Sequence, residues 1–214
     1  MQIFPRWTVK IPPMLAAAAA LGGPVVLGGV WYYFSPKHTD VGYQPKQPVP
    51  YSHKLHAGDL GIDCRYCHTG VEKSAVASVP PTATCMNCHS HIKKESAALA
   101  PIRQSAADGS PVEWVRIHKV PDFAFFDHSA HIAAKVGCAS CHGRVDQMVH
   151  VHQEQPLSMA WCLDCHRDPQ PHLRPKTVSV TDMSWKPRPA EVAANDPNTR
   201  HDVNPPQNCT GCHR

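Results

Sequence analysis

The longest apolar run lies near the N-terminal end of the chain. From Ile11 to Phe34 no charged residue occurs over 24 positions, which as a helix would reach about 36 Å, enough to cross a bilayer. Trp7 stands before the run, and Trp31, Tyr32 and Tyr33 close it, so aromatic side chains fall where both membrane interfaces are expected. Arg6 and Lys10 flank the N-terminal side only, which predicts a cytoplasmic N-terminus. We read residues 1–34 as a cytoplasmic tip and a single uncleaved transmembrane anchor. The competing reading is a signal peptide, since Ala16–Ala20 and Gly22–Gly23 are small enough for a peptidase. Pro12 and Pro13 suit a first helical turn, whereas Pro24 and its neighbouring glycines predict a kink or a closely packed partner helix.

Beyond Phe34 the pattern changes. Residues 35–50 carry Pro36, Pro45, Pro48 and Pro50 with no apolar period, which predicts a semi-rigid extended linker acting as a spacer. The following residues show neither a sustained helical nor a strand period, and 22 prolines and 12 glycines in the chain forbid long regular elements. One stretch, Ser90 to Ala107, is rich in Ala, Lys, Glu and Leu and predicts a helix despite Pro101, ending at the turn Asp108-Gly109-Ser110-Pro111. The expected fold is mainly irregular with short α-helices, long loops and almost no sheet.

The cysteines supply what the apolar pattern lacks. All ten fall in five copies of Cys-x-x-Cys-His: Cys64 and Cys67 with His68, Cys85 and Cys88 with His89, Cys138 and Cys141 with His142, Cys162 and Cys165 with His166, Cys209 and Cys212 with His213. This motif attaches c-type haem, the thiols reaching the porphyrin vinyl groups and the histidine ligating the iron on its proximal side. Zinc sites and disulfides also use paired cysteines, but neither requires a histidine directly after every second one. We therefore expect five covalently bound haem c groups, with a core made of porphyrin faces and a domain that does not fold without them.

The sixth iron ligands come from eleven further histidines. Tyr51-Ser52-His53-Lys54-Leu55-His56 precedes the first motif, and Phe126-Asp127-His128-Ser129-Ala130-His131 precedes the third. Residues three apart on a helical turn share a face, so both imidazoles of one pair cannot reach one iron from the same side. Each pair, His53 with His56 and His128 with His131, should serve two different haems and bring them into contact. His118 is the candidate for the fifth distal position, with Met148, Met159, Met183 and His172 as alternates; methionine would raise that haem's potential. His150, His152 and His201 sit in polar stretches and read as solvated, His38 and His91 are unassigned, and Trp114 and Trp161 are expected against porphyrin edges.

These repeats divide the chain into the linker 35–50, a dihaem module 51–100, a connector 101–125, a second dihaem module 126–175, and a C-terminal segment 176–214 with the fifth haem. The fold class is thus a multihaem cytochrome c domain, two duplicated dihaem modules plus a fifth haem, on one N-terminal transmembrane helix. Formal protein charge is +4. With each ferric haem and its two propionates contributing about −1, the oxidised holoprotein comes to about −1 and the reduced form to about −6. That balance offers no case for nucleic acid.

The His-x-x-His pairs ahead of Cys-x-x-Cys-His resemble class III multihaem cytochromes c. More closely, the anchor, the five motifs, Tyr51 to His56, Val112 to His131, Gly143 to Met148 and Pro156 to Cys162 resemble the pentahaem cytochrome c (ActA) subunit of alternative complex III. The resemblance implies a bacterial cytoplasmic membrane complex that oxidises quinol, with the haem domain periplasmic. Its implied partners are an iron-sulfur subunit of molybdopterin-enzyme type, polytopic quinol-binding membrane subunits, and a monohaem cytochrome c, another periplasmic carrier or a terminal oxidase. The chain would be an electron conduit, with no catalytic residues of its own. Two alternatives stand beside this reading: a stand-alone anchored quinol dehydrogenase feeding periplasmic reductases, and a multihaem redox enzyme, which needs an open iron position that nothing in the sequence marks.

Overall fold

The computed structural model describes residues 3–187 and 202–213. Its N-terminal part is one continuous helix, Ile11–Tyr33, opened by a 3₁₀ turn at Arg6–Lys10. Pro12 and Pro13 occupy the first turn, where a missing N–H breaks no helical bond, and the helix runs on through Pro24. None of its residues is buried against the protein, and it is the one helix among the described residues long and apolar enough to span a bilayer. A helix that is apolar all round and unpacked by its own chain fits a lipid or partner-helix environment better than a soluble core.

The segment 35–50 departs from the expected spacer. After a short helix at Pro36–Thr39, the strap is pinned to the body of the protein. Gly42 N donates to Gln153 O at 2.7 Å, and Gln153 N donates to Tyr43 O at 3.1 Å. Gln44 Nε2 donates to His150 O at 2.9 Å, while Gln47 exchanges two side-chain bonds of 2.9 Å with the backbone of Val115. Extended backbone leaves every N–H and C=O needing a partner, and here the glutamines and the loop at Gln153 supply them. Val49, only 4 % exposed, anchors the far end. The strap is a docked edge of the domain.

Each haem motif forms a short helix, Cys64–Cys67, Thr82–His89, Cys138–His142, Met159–Arg167 and Cys209–Cys212. Asp63 caps the first, its side chain accepting from Arg65 N, and Ser158 caps the fourth, accepting from Trp161 N. The helix predicted from Ser90 to Ala107 is shorter: a 3₁₀ turn at Ala97–Leu99 leads into Ala100–Asp108. Pro101 sits in its first turn and so starts the helix, and Gly109 closes it at φ 76°, the left-handed conformation that suits glycine. Among the described residues sheet is limited to two isolated bridges, Ala124 with His213 and Val136 with Leu173.

The apolar side-chain core is small. Among the described residues Val49, Ile102, Met148, Leu173, Val180 and Met183 are the buried hydrophobics, too few to order a domain of this size. The centre holds a connected cavity of about 1870 Å³ instead, lined by cysteines from all five motifs and by both His-x-x-His pairs. That volume exceeds the roughly 300–1,000 Å³ of an ordinary small-molecule site, as several large planar cofactors require.

Candidate haem sites

We number the motif sites 1 to 5 in chain order. The strongest geometric feature is a repeated spacing between imidazoles. The ring centre of His53 lies 6.4 Å from that of His68, His56 lies 6.3 Å from His89, His128 lies 6.5 Å from His142, and His131 lies 6.1 Å from His166. A metal–imidazole bond of about 2.0–2.1 Å plus about 1.1 Å to the ring centre, counted on both sides of one metal, gives about 6.3 Å. All four pairs thus stand at the spacing of two axial ligands on one iron. The first histidine of each His-x-x-His element faces the motif that follows at once, and the second faces the next motif.

Ring orientation is fixed from behind. Nδ1–H donates to a backbone carbonyl at His56 (Ser52 O, 2.8 Å), His68 (Ser78 O, 2.7 Å), His89 (Ile92 O, 3.0 Å), His128 (Ala75 O, 2.7 Å), His131 (Asp127 O, 2.7 Å) and His166 (Pro206 O, 2.8 Å). A proton held on Nδ1 leaves the Nε2 lone pair for a metal, the usual outer support of a ligating histidine. His53 differs, its Nδ1 being buried without a partner. Burial, followed by the neighbouring histidines, lowers His53 to about 4 and His142 to about 3. These imidazoles are therefore neutral at physiological pH, the form that binds iron.

One aromatic ring braces each pair. Tyr51 stacks on His56 at 4.4 Å and meets His53 edge-on at 4.8 Å. Phe126 repeats this with His131 and His128, both at 4.7 Å. The two halves share this arrangement down to the backbone bond from the second histidine to the carbonyl four residues before it.

The cysteines show which sites adjoin. Burial raises Cys67, helped by the thiol of Cys85 and then by its own partner Cys64, and Asn87 Nδ2 donates to Tyr66 OH at 3.0 Å between the same two motifs. The thiols of Cys64 and Cys138 are neighbours, and each acts on the other, lowering Cys64 and raising Cys138. Burial pushes Cys141 up to about 12, with Cys165 and Cys162 adding to it. Burial likewise raises Cys162, with Cys212 the next cause, and Gln207 Nε2 donates to His166 O at 3.2 Å. The neighbour order is therefore 2, 1, 3, 4, 5, with sites 1 and 3 meeting at a seam between the halves.

His118 lies at that seam. Its ring is 4.3 Å from His142, edge-on, with Nε2 buried and without a partner, and burial lowers it to about 4 with His152 and His128 adding to the effect. It also acts on His53. His118 is thus placed beside the site 3 imidazole, while His213 is faced by the Phe123 ring at 5.7 Å. Met148 and Met183 are buried, while Met159 and His172 are exposed. His152 pairs with Glu154 at 3.2 Å, His38 packs on Tyr32 and Tyr33, and His201 lies outside the described residues. The carbonyl partners, Tyr51 and Phe126 were missed as functional groups; the last two stood in the repeated hexapeptides and could have been found there.

Among the described residues no three His, Cys, Asp or Glu converge on a metal-ion position. The donor set fits haem c: paired cysteine sulfurs beside an imidazole, with a second imidazole at axial distance at four sites.

Comparison with known proteins agrees. The family described as cytochrome c7 and related cytochrome c matches residues 124–214. The chain is also 36 % identical over 100 residues to the menaquinone reductase, multiheme cytochrome c subunit of Nitratidesulfovibrio vulgaris, covering 46 % of this chain and 47 % of that one. The chain thus spans about half the length of the curated relative it matches. The repeated axial spacing, the motifs that carry it and these two likenesses point the same way: over the segments they cover, the chain is similar to multihaem cytochromes c.

Proposed function

We propose that the chain carries five haem c groups and serves as the electron-transfer subunit of a membrane quinol:acceptor oxidoreductase of the alternative complex III type. The observation that carries this reading is the continuous order of sites 2, 1, 3, 4, 5 around one cavity. Haem supplies one-electron chemistry when bound. The chain's own residues would hold an iron between two imidazoles at four sites, orient most of those rings through backbone carbonyls, and keep the motifs next to one another. Four sites with an imidazole on each side suit relay rather than substrate binding, and on this reading the chain is not an enzyme by itself. His118, with Met148, Met159, Met183 and His172 as alternates, stands as candidate for the remaining axial position.

The apolar helix Arg6–Tyr33 anchors this domain to the cytoplasmic membrane, with the haem domain outside and the partners named above around it. A second reading, transfer of electrons into the quinone pool, is favoured by the name of the relative from N. vulgaris. The test is to isolate the intact membrane complex through a tag on this chain and follow the haem α-band. Reduction by a quinol, followed by reoxidation by a periplasmic carrier, supports the oxidoreductase reading. Oxidation of reduced haem by added menaquinone alone, without reduction by quinol, supports the second. A tagged chain that purifies without polytopic partners contradicts both.

A further inference from the structure

Arg174 has a placement that haem attachment does not require. It is 1 % exposed, and its guanidinium lies directly against Gly137, the residue before Cys138. A Cβ at position 137 would stand 1.9 Å from Nε and 2.3 Å from Nη2, so only glycine admits the contact. The surrounding backbone holds it there. Arg174 N donates to Lys135 O at 3.0 Å, Cys138 N donates to Val180 O at 3.1 Å, and Val136 bridges Leu173. Nη1 donates to the carbonyls of Ser179 and Asp182, and the guanidinium sits 5.3 Å from the centre of the Trp185 ring.

A guanidinium keeps its charge in proteins, and burying it is costly. Here that charge is fixed against Gly137, next to the first cysteine of site 3, which itself neighbours Cys64 of site 1. We propose that Arg174 is a potential-setting residue for the haem of Cys138 to His142 and, to a smaller extent, for its neighbour across the seam. A fixed cation in a poorly screened position favours the iron state that carries one positive charge fewer, so it raises the reduction potential. Gly137 is the second half of the device, since any side chain there displaces the cation. The proposal rests on reading site 3 as a haem site.

The test uses the intact membrane complex carrying Arg174→Gln, Arg174→Lys or Asp182→Asn, in a redox titration followed by electron paramagnetic resonance. The signal of site 3 is the one altered by His128→Met. With Arg174→Gln, the reduced-to-oxidised ratio of that haem at fixed ambient potential falls about tenfold, equivalent to about 59 mV for a one-electron couple. Arg174→Lys restores most of the ratio, while sites 2 and 5 do not move. Asp182 also acts on Arg174, so Asp182→Asn shifts the ratio the opposite way. Equal shifts for Gln and Lys, or none for Gln, overturn the proposal. If Arg174→Gln does not assemble, an unmoved ratio in Asp182→Asn decides against it. If no signal responds to His128→Met, the haem-site reading fails first and the proposal falls with it.

Discussion

The Nδ1–H of His128 donates to the carbonyl of Ala75 at 2.7 Å, joining residues 53 positions apart. Three residues on, the Ser78 carbonyl accepts from Nδ1 of His68, also at 2.7 Å. One short segment of the first half therefore orients an imidazole at site 1 and another at site 3. Ser78 holds φ at 67°, a conformation that a β-branched residue adopts only under strain. Ser78→Val should cost about 1–3 kcal/mol and perturb the spectra of sites 1 and 3 together. Ser78→Gly should leave both near wild type. Denaturant unfolding with haem electron paramagnetic resonance checks this, and a change confined to site 1 would sever the link.

Two classes of iron signal are expected. The axial rings are nearly parallel at sites 1 and 3, at 2° and 6°, but rotated at sites 2 and 4, at 63° and 39°. Parallel ligand planes split the iron π orbitals more strongly than crossed ones. Sites 1 and 3 should give rhombic low-spin signals, and sites 2 and 4 more anisotropic ones. Replacing His53, His56, His128 or His131 by Met assigns sites 1, 2, 3 and 4 in turn, and four alike signals would contradict the ring geometry.

The parts legible in the sequence are those written within a few residues. The Cys-x-x-Cys-His motifs, the His-x-x-His pairs and the anchor are contiguous, and the inference that one pair serves two irons needs only helical geometry. The site order was not legible, because it depends on which distant motifs become neighbours, as Cys64 with Cys138 and Cys162 with Cys212. Proline content described the extension of residues 35–50 but not the hydrogen bonds from Gln44 and Gln47 that dock it. Composition likewise overextended the helix before Ala100, because Pro101 marks a start as well as a stop.

Asp63 links the first motif to acid stability. Hydrogen bonds from the Arg65 side chain are the main cause that lowers it from 3.8 to about 2, and its side chain also caps the motif helix. A depressed folded pKa gives stability that is fully present above the unfolded value and is lost as pH falls toward about 2. Because the pair is largely solvent-facing, the contribution is that of a cap, about 1 kcal/mol. Asp63→Asn should lower the denaturation midpoint at neutral pH, and the difference should shrink on acidification through that window. A constant difference down to the lowest pH would remove the carboxylate from the account.

The glycines of the anchor, Gly22, Gly23, Gly28 and Gly29, have open space where a Cβ would stand, which lets another helix approach closely. Replacing them and Pro24 by Leu should leave membrane insertion and haem staining intact while reducing recovery of partner subunits with the tagged chain. Full recovery would make the helix a simple tether.

The central claim is an unbroken order of sites held by paired imidazoles. A density map of the intact membrane complex tests it most directly. The account predicts five haems with irons adjoining in the order 2, 1, 3, 4, 5, and His53, His56, His128 and His131 as the sixth ligands of sites 1, 2, 3 and 4. Sites 2 and 3 in contact, or both histidines of one pair turned to a single iron, would contradict it.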